Sequence, residues 1–177
     1  MKSKSPLLRI DRLLLVFAAM LVFLLTPQQA TAQAFTGTYT FTGTTGNTNS
    51  FDYNGTDIAN LTEGPLTKNG VTTSSSTGNF RASNWDTSAT INLTDYFEFT
   101  LTADAGFVLD MTSITFGIGR SAAGPVKWEW RSSVDGYAST ISTYSSVNAG
   151  LTESGGVLTN PDSNSSWTGN ILDLSGA

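Results

Sequence analysis

Tyr96-Phe97-Glu98-Phe99-Thr100-Leu101 and, twelve residues further on, Ser113-Ile114-Thr115-Phe116-Gly117-Ile118-Gly119-Arg120 carry the plainest structural signal in this chain. In the first, Phe97, Phe99 and Leu101 fall on one face and Tyr96, Glu98 and Thr100 on the other. In the second, Ile114, Phe116 and Ile118 alternate with small or polar residues. A period of two is the mark of a half-buried strand, because successive side chains leave a strand on opposite faces. The same alternation is read in Tyr39/Phe41, in Phe51/Tyr53 and in Phe107/Leu109/Met111. After residue 34 no helical period appears.

Turn chemistry separates these runs. Asn54-Gly55, Asn69-Gly70 and Asp135-Gly136 are turn dipeptides that tolerate positive φ. Residues 43–50 and 74–78 are loops of small and polar residues, and Gly124-Pro125 ends another. Short strands joined by polar turns predict an all-β fold, an antiparallel β-sandwich of jelly-roll type. An outer-membrane barrel would also alternate, but these runs are shorter than the roughly 9–11 residues of a tilted spanning strand.

Upstream, Lys2, Lys4, Arg9 and Arg12 precede the apolar run Leu13 to Leu25, and small residues follow at Ala30-Thr31-Ala32-Gln33-Ala34. A basic start, a short apolar core and an A-x-A site predict a helical secretory signal peptide over 1–34. Cleavage is expected after Ala34, with Ala32 as the alternative. That leaves a β-sandwich domain over 35–177 with no membrane span, destined for secretion or the cell surface. Residues 35–177 hold five basic and thirteen acidic residues, a net charge of −8. Such a surface repels phosphate backbones, so nucleic acid is not an expected partner.

The chain contains no cysteine and no histidine. Usual zinc sites and Ser-His-Asp or Cys-His catalysis are therefore excluded. So is a lipid-modified N-terminal cysteine. Calcium is the remaining metal expectation, since it takes oxygen ligands, with Asp52, Asp57, Asp104 and Asp162 as candidates. No D-x-D-x-D-G run supports it.

The densest constellation runs from Gly117 to Pro125 and on through Trp128-Glu129-Trp130-Arg131-Ser132-Ser133-Val134-Asp135-Gly136-Tyr137. Trp128 and Trp130 share one strand face, with Lys127, Glu129 and Arg131 on the other. The tryptophans are either core or an exposed platform for sugar rings. Arg131 either meets an anionic ligand or ties its turn to carbonyls or Asp135. Arg120 lies in a Gly-rich loop that lacks the Lys-Ser/Thr of a P-loop. Gly117 and Gly119 leave a bare strip opposite Ile118. Glu98 and Glu129, on outward faces, are the carboxylates a glycoside hydrolase would need to bring together. The four ligand-binding candidates are thus Trp128, Trp130, Arg131 and Arg120.

The order of Phe97 to Thr102, Gly106 to Ser121, the Gly-Pro turn and Trp130-Arg131-Ser132-Ser133-Val134-Asp135-Gly136-Tyr137 resembles a recurrent β-sandwich module of exported bacterial proteins of the PEP-CTERM and type IX secretion types. Tyr39-Thr40-Phe41-Thr42-Gly43 and Phe80-Arg81-Ala82-Ser83-Asn84-Trp85 extend the resemblance. It implies a non-catalytic module with no active-site residues to carry over. It also implies further strands and often a sorting tail. Ile171, Leu172 and Leu174 look like the opening of another strand, so a C-terminally incomplete domain is expected. The expected function is an exported structural or adhesive module that could touch glycans. The alternatives are a carbohydrate-active enzyme or its ancillary domain, and a calcium-stabilised spacer.

Overall fold

The computed structural model describes residues 33–176 apart from Ala89 and Asp162. The predicted leader therefore lies almost wholly outside the described residues, as does the calcium candidate Asp162. No described helix is long and apolar enough to cross a membrane.

The fold is all-β, and every paired strand is antiparallel. Its first half is one long ribbon. Leu61–Glu63 (β2) pairs with Leu101–Ala103 (β7), and Leu66–Asn69 (β3) pairs with Tyr96–Glu98 (β6). Glu63 opposes Leu101 and Thr67 opposes Glu98, so the β2–β3 side carries one residue more than its partner across Gly64-Pro65. Such an extra residue is a bulge, a site that tolerates a proline without an N–H. The Gly64 N–H still bonds the Thr100 carbonyl at 2.8 Å, and a Cβ at Gly64 would run into the Thr100 hydroxyl. The Tyr39 hydroxyl closes the bulge by donating to the Gly64 carbonyl. Ser50–Phe51 (β1) adds to the outer edge of β3, and Thr72–Thr73 (β4) pairs with Ala82–Ser83 (β5).

The second half holds two more three-stranded sheets. In one, Ser165–Asp173 (β13) lies between Ser113–Arg120 (β8) and Tyr144–Ser146 (β10). In the other, Val157–Thr159 (β12) lies between Thr152–Ser154 (β11) and Lys127–Trp128 (β9). Ile171 and Leu172 thus belong to the closing half of a nine-residue central strand. β13 has its own bulge. Trp167 opposes Ile118 and Asn170 opposes Phe116, so three steps on one strand match two on the other. Gly169 takes φ 78° there, a left-handed conformation that a β-carbon would disfavour.

Fully buried aliphatics are few, and aromatic rings join the sheets instead. The inward residues of β6 and its continuation start two strings. Phe97 packs on Phe80 at 5.1 Å and on Trp85 at 5.1 Å, and Trp85 lies 5.4 Å from Trp128. Phe99 lies 6.4 Å from Trp130, which meets Phe116 edge-on at 5.1 Å. Each such pair adds about 0.5–1.5 kcal/mol beyond its area burial. Leu151, Leu158 and Trp167 form the buried centre against which Phe116, Ile118 and Trp128 pack.

Two expected strands are missing. Tyr39 and Phe41 alternate but lie in no strand, their rings packing on Tyr53 and Phe51 instead. Phe107, Leu109 and Met111 also alternate, but residues 107–111 join no ladder. The Asp104 backbone carbonyl accepts the Phe107 N–H at 3.0 Å and Gly106 takes φ 91°, which folds the segment into a turn. Phe107 is left 50 % exposed and Val108 93 % exposed.

Candidate functional site

The residues 129–141 form a loop held by its own charges. Arg131 donates Nε to Glu129 Oε1 at 2.6 Å and Nη1 to the carbonyls of Tyr137 and Ala138 at 2.7 and 3.1 Å. The second oxygen of Glu129 accepts the Thr140 hydroxyl at 2.7 Å, and this side chain is only 8 % exposed. Asp135 accepts the N–H groups of Ala138 and Ser139 at 3.2 and 2.9 Å. Desolvation works against its charge, but the N–H and O–H of Ser139 and the N–H of Ala138 outweigh it and hold its carboxyl below the usual carboxylate range. Ser132 accepts the Val134 N–H at 3.1 Å, and the Ile141 N–H bonds the Trp130 carbonyl at 2.8 Å, closing the loop at its base.

This scaffold carries Tyr137 in an unusual backbone conformation, φ 61°, which is costly for a bulky residue. Its hydroxyl reaches Glu98 of β6, donating to Oε1 at 2.9 Å. That bond, then the negative charge of Glu98, raises the Tyr137 pKa above the ordinary phenol value, and Tyr96 adds to the rise. Tyr96 and Tyr137 are 43 % and 48 % exposed, and Val134 at the loop tip is 94 % exposed. Tyr137 thus joins Tyr96 and Glu98 of the outer face of β6 in one patch of tyrosine rings about a carboxylate.

Trp128 and Trp130, read from the sequence as either core or an exposed platform, are packed among other rings. Trp167 is buried, while Trp85, Trp128 and Trp130 are half-buried and packed ring to ring with the phenylalanines. Arg120 bonds the Gly124 carbonyl at 3.1 Å and the Asn160 carbonyl at 3.3 Å, pinning the Gly-Pro loop. Lys68, an inward residue of β3, donates to the carbonyls of Gly46 and Arg81 at 2.7 and 2.6 Å and lies 4.1 Å from the Phe80 ring centroid. Burial lowers its pKa. Three of the five basic side chains in 35–177 are therefore engaged with backbone carbonyls. Arg131–Glu129 is the only ion pair among the described residues.

Asp52, Asp57 and Asp104 are exposed and do not converge. Among the described residues no three carboxylates stand close enough together to hold a metal ion. Gly117 and Gly119 face the exposed side of β8 beside Thr168 and Ser166.

Two groups escaped sequence reading. Tyr96 and Glu98 are legible as outward, but their meeting with Tyr137, 39 residues away from Glu98, is not. Asn160 is fully buried, and neither its Oδ1 nor its Nδ2 has a hydrogen-bond partner among the described residues. Trp128 Nε1, on the neighbouring strand, is unpartnered too. Nothing in the sequence around Asn160 signals this. No protein-family model, no curated protein and no solved structure matches the chain.

Proposed function

We propose that this chain is an exported, non-catalytic module that works by presenting a surface outside the cytoplasm. In this reading residues 35–177 form a β-sandwich of jelly-roll type behind a cleaved leader over 1–34. The antiparallel sheets joined by aromatic strings support the sandwich, and the basic, apolar, A-x-A sequence supports export. The observation that carries the non-catalytic reading is the state of Glu129. Both of its oxygens are bonded, one to Arg131 and one to Thr140, and it is nearly enclosed. A carboxylate so engaged is a buckle for a loop. It is poorly placed as the partner of Glu98 in glycoside hydrolysis, where one acid must protonate and the other attack or activate water.

Expression with the native leader tests both parts. A secreted or periplasmic product whose N-terminal sequence begins at Phe35, or at Gln33, is the expected result. Retention in the cytoplasm with an intact N-terminus would overturn export. Hydrolysis of any polysaccharide in a broad panel, lost in Glu98→Gln, would overturn the non-catalytic reading.

A further inference from the structure

We infer that the outer face of β6, with Tyr96 and Glu98 beside Tyr137, is a docking surface for a basic, lysine- or arginine-bearing segment of a partner protein. The inference rests on the surface-presenting reading above and names the partner's chemistry. Side chains alternate along β6. Phe97 is drawn inward by Phe80 and Trp85, so Tyr96 and Glu98 must point outward. Tyr137 is brought to the same place by its bond to Glu98. Two half-exposed rings then offer apolar area beside a carboxylate, and Val134 is fully presented on the loop that carries Tyr137.

Charge selects the occupant. Among the described residues Tyr137 is the only group that bonds the Glu98 carboxylate, and a neutral hydroxyl leaves its charge in place. Asp95 adjoins Tyr96 in sequence, and Asp135 lies in the Tyr137 loop. The basic residues that could offset them are few, and Lys68, Arg120 and Arg131 are engaged in the interior or in the loop. The tyrosine faces add the negative side of their quadrupole, which attracts a cation above the ring. Carboxylates and rings therefore present the same sign of potential. Phosphate and acidic glycans are repelled. A neutral saccharide gains ring contact but must strip water from Glu98 with no opposite charge to compensate it. A lysine or arginine satisfies both demands, laying its stem on the tyrosine rings while its head reaches the carboxylate. The rings belong to an open sheet face, which suits an extended segment better than a small ammonium ion needing a closed cage.

The test is a titration of the purified protein with a short lysine-rich peptide, followed by backbone amide resonances. The expected result is saturable shifts at Tyr96, Glu98, Val134 and Tyr137. Raising salt from about 0.05 M to about 0.3 M should weaken binding several-fold. Glu98→Gln and Tyr96→Ala should each weaken it about fivefold, whereas Asp57→Asn should leave it unchanged. Tyr96→Ala sits on an open face and leaves the Arg131 scaffold untouched, so its effect is separable from loop unfolding. The inference is overturned by unsaturable binding, by equal affinity in the wild type and both variants, or by a neutral oligosaccharide shifting the same amides without salt dependence. Absence of peptide binding would leave the module reading standing. Polysaccharide turnover or cytoplasmic retention would remove that reading whatever the peptide does.

Discussion

Asn170 and Asn160 are both fully enclosed, yet the fold treats them in opposite ways. Asn170 follows the bulge of β13. Its Oδ1 accepts the Asn148 N–H at 2.9 Å, and its Nδ2 donates to the carbonyls of Trp167 at 3.1 Å and Phe116 at 3.4 Å. The bulge breaks the ladder between Trp167 and Asn170, and the side-chain amide supplies partners that the ladder no longer offers. Asn160 stands where pairing is regular. Its N–H bonds the Val126 carbonyl at 2.8 Å and its own carbonyl accepts Arg120. The backbone there is already satisfied, and among the described residues the side chain finds nothing to bond. A buried amide is thus stabilising where the backbone is irregular and a burden where it is not.

The largest expected effect follows from the first of these. Asn170→Leu keeps the volume but strands the Asn148 N–H and weakens support for two carbonyls. Leaving buried polar groups unsatisfied costs about 1–3 kcal/mol each, so a loss of about 3 kcal/mol is expected in denaturant unfolding. A loss below about 1 kcal/mol would mean that the bulge does not need its amide. Asn160→Leu should do the reverse, raising stability by about 1 kcal/mol, because it removes two unpartnered atoms from the interior. A clear destabilisation would show that the Asn160 amide has a partner after all, and the contrast would collapse.

The bulge itself gives a smaller test. Gly169→Ala meets no atom of the described residues within 4 Å, so its cost is conformational. At φ 78° a β-carbon should cost about 1 kcal/mol. A neutral result would imply that β13 can relax, and that Asn170 rather than the backbone turn fixes the bulge.

The same bulges explain what could be read in advance. Faces were legible wherever a strand keeps its phase, as in Phe97/Phe99 and in Ile114/Phe116/Ile118. The phase slips in β13, where Trp167 and Asn170 are both buried but three apart. A period-two reading therefore recovered Ile171 and Leu172 and missed the strand that carries them. It slips again at Gly64-Pro65, beyond which the inward position is Lys68, a residue no hydrophobic pattern would select. At 107–111 the alternation is present without a partner strand, and alternation assigns a face but not a ladder. In the candidate site, the face of Tyr96 and Glu98 was readable from neighbours. The approach of Tyr137 depends on Arg131, Glu129 and Asp135 folding a loop, a long-range outcome that spacing does not encode.

Tyr144 links the two regions, and it gives the smallest effect. It sits in β10 opposite Leu172, and its hydroxyl donates to the Gly156 carbonyl at 3.1 Å, in the turn that leads into β12. Burial first, then the charges of Glu153 and Glu129, push its pKa up to about 12. Below the ordinary phenol value near 10, folded and unfolded chains both carry the proton. Between about 10 and 12 the unfolded chain releases it and the folded chain keeps it, so stability must fall as pH rises through that window. The ring is only partly enclosed, so solvent screening holds the effect to about 1 kcal/mol or less. Tyr39 and Tyr137 are raised as well, so the wild-type decline is not Tyr144's alone. Tyr144→Phe isolates its share. At pH about 9 the variant should be less stable by about 1 kcal/mol, for want of the bond to Gly156. The gap should narrow by pH about 12, as the wild type loses the same tie. A gap that stays constant would mean that Tyr144 titrates alike in both states, and that the contact between the second and third sheets does not depend on its proton.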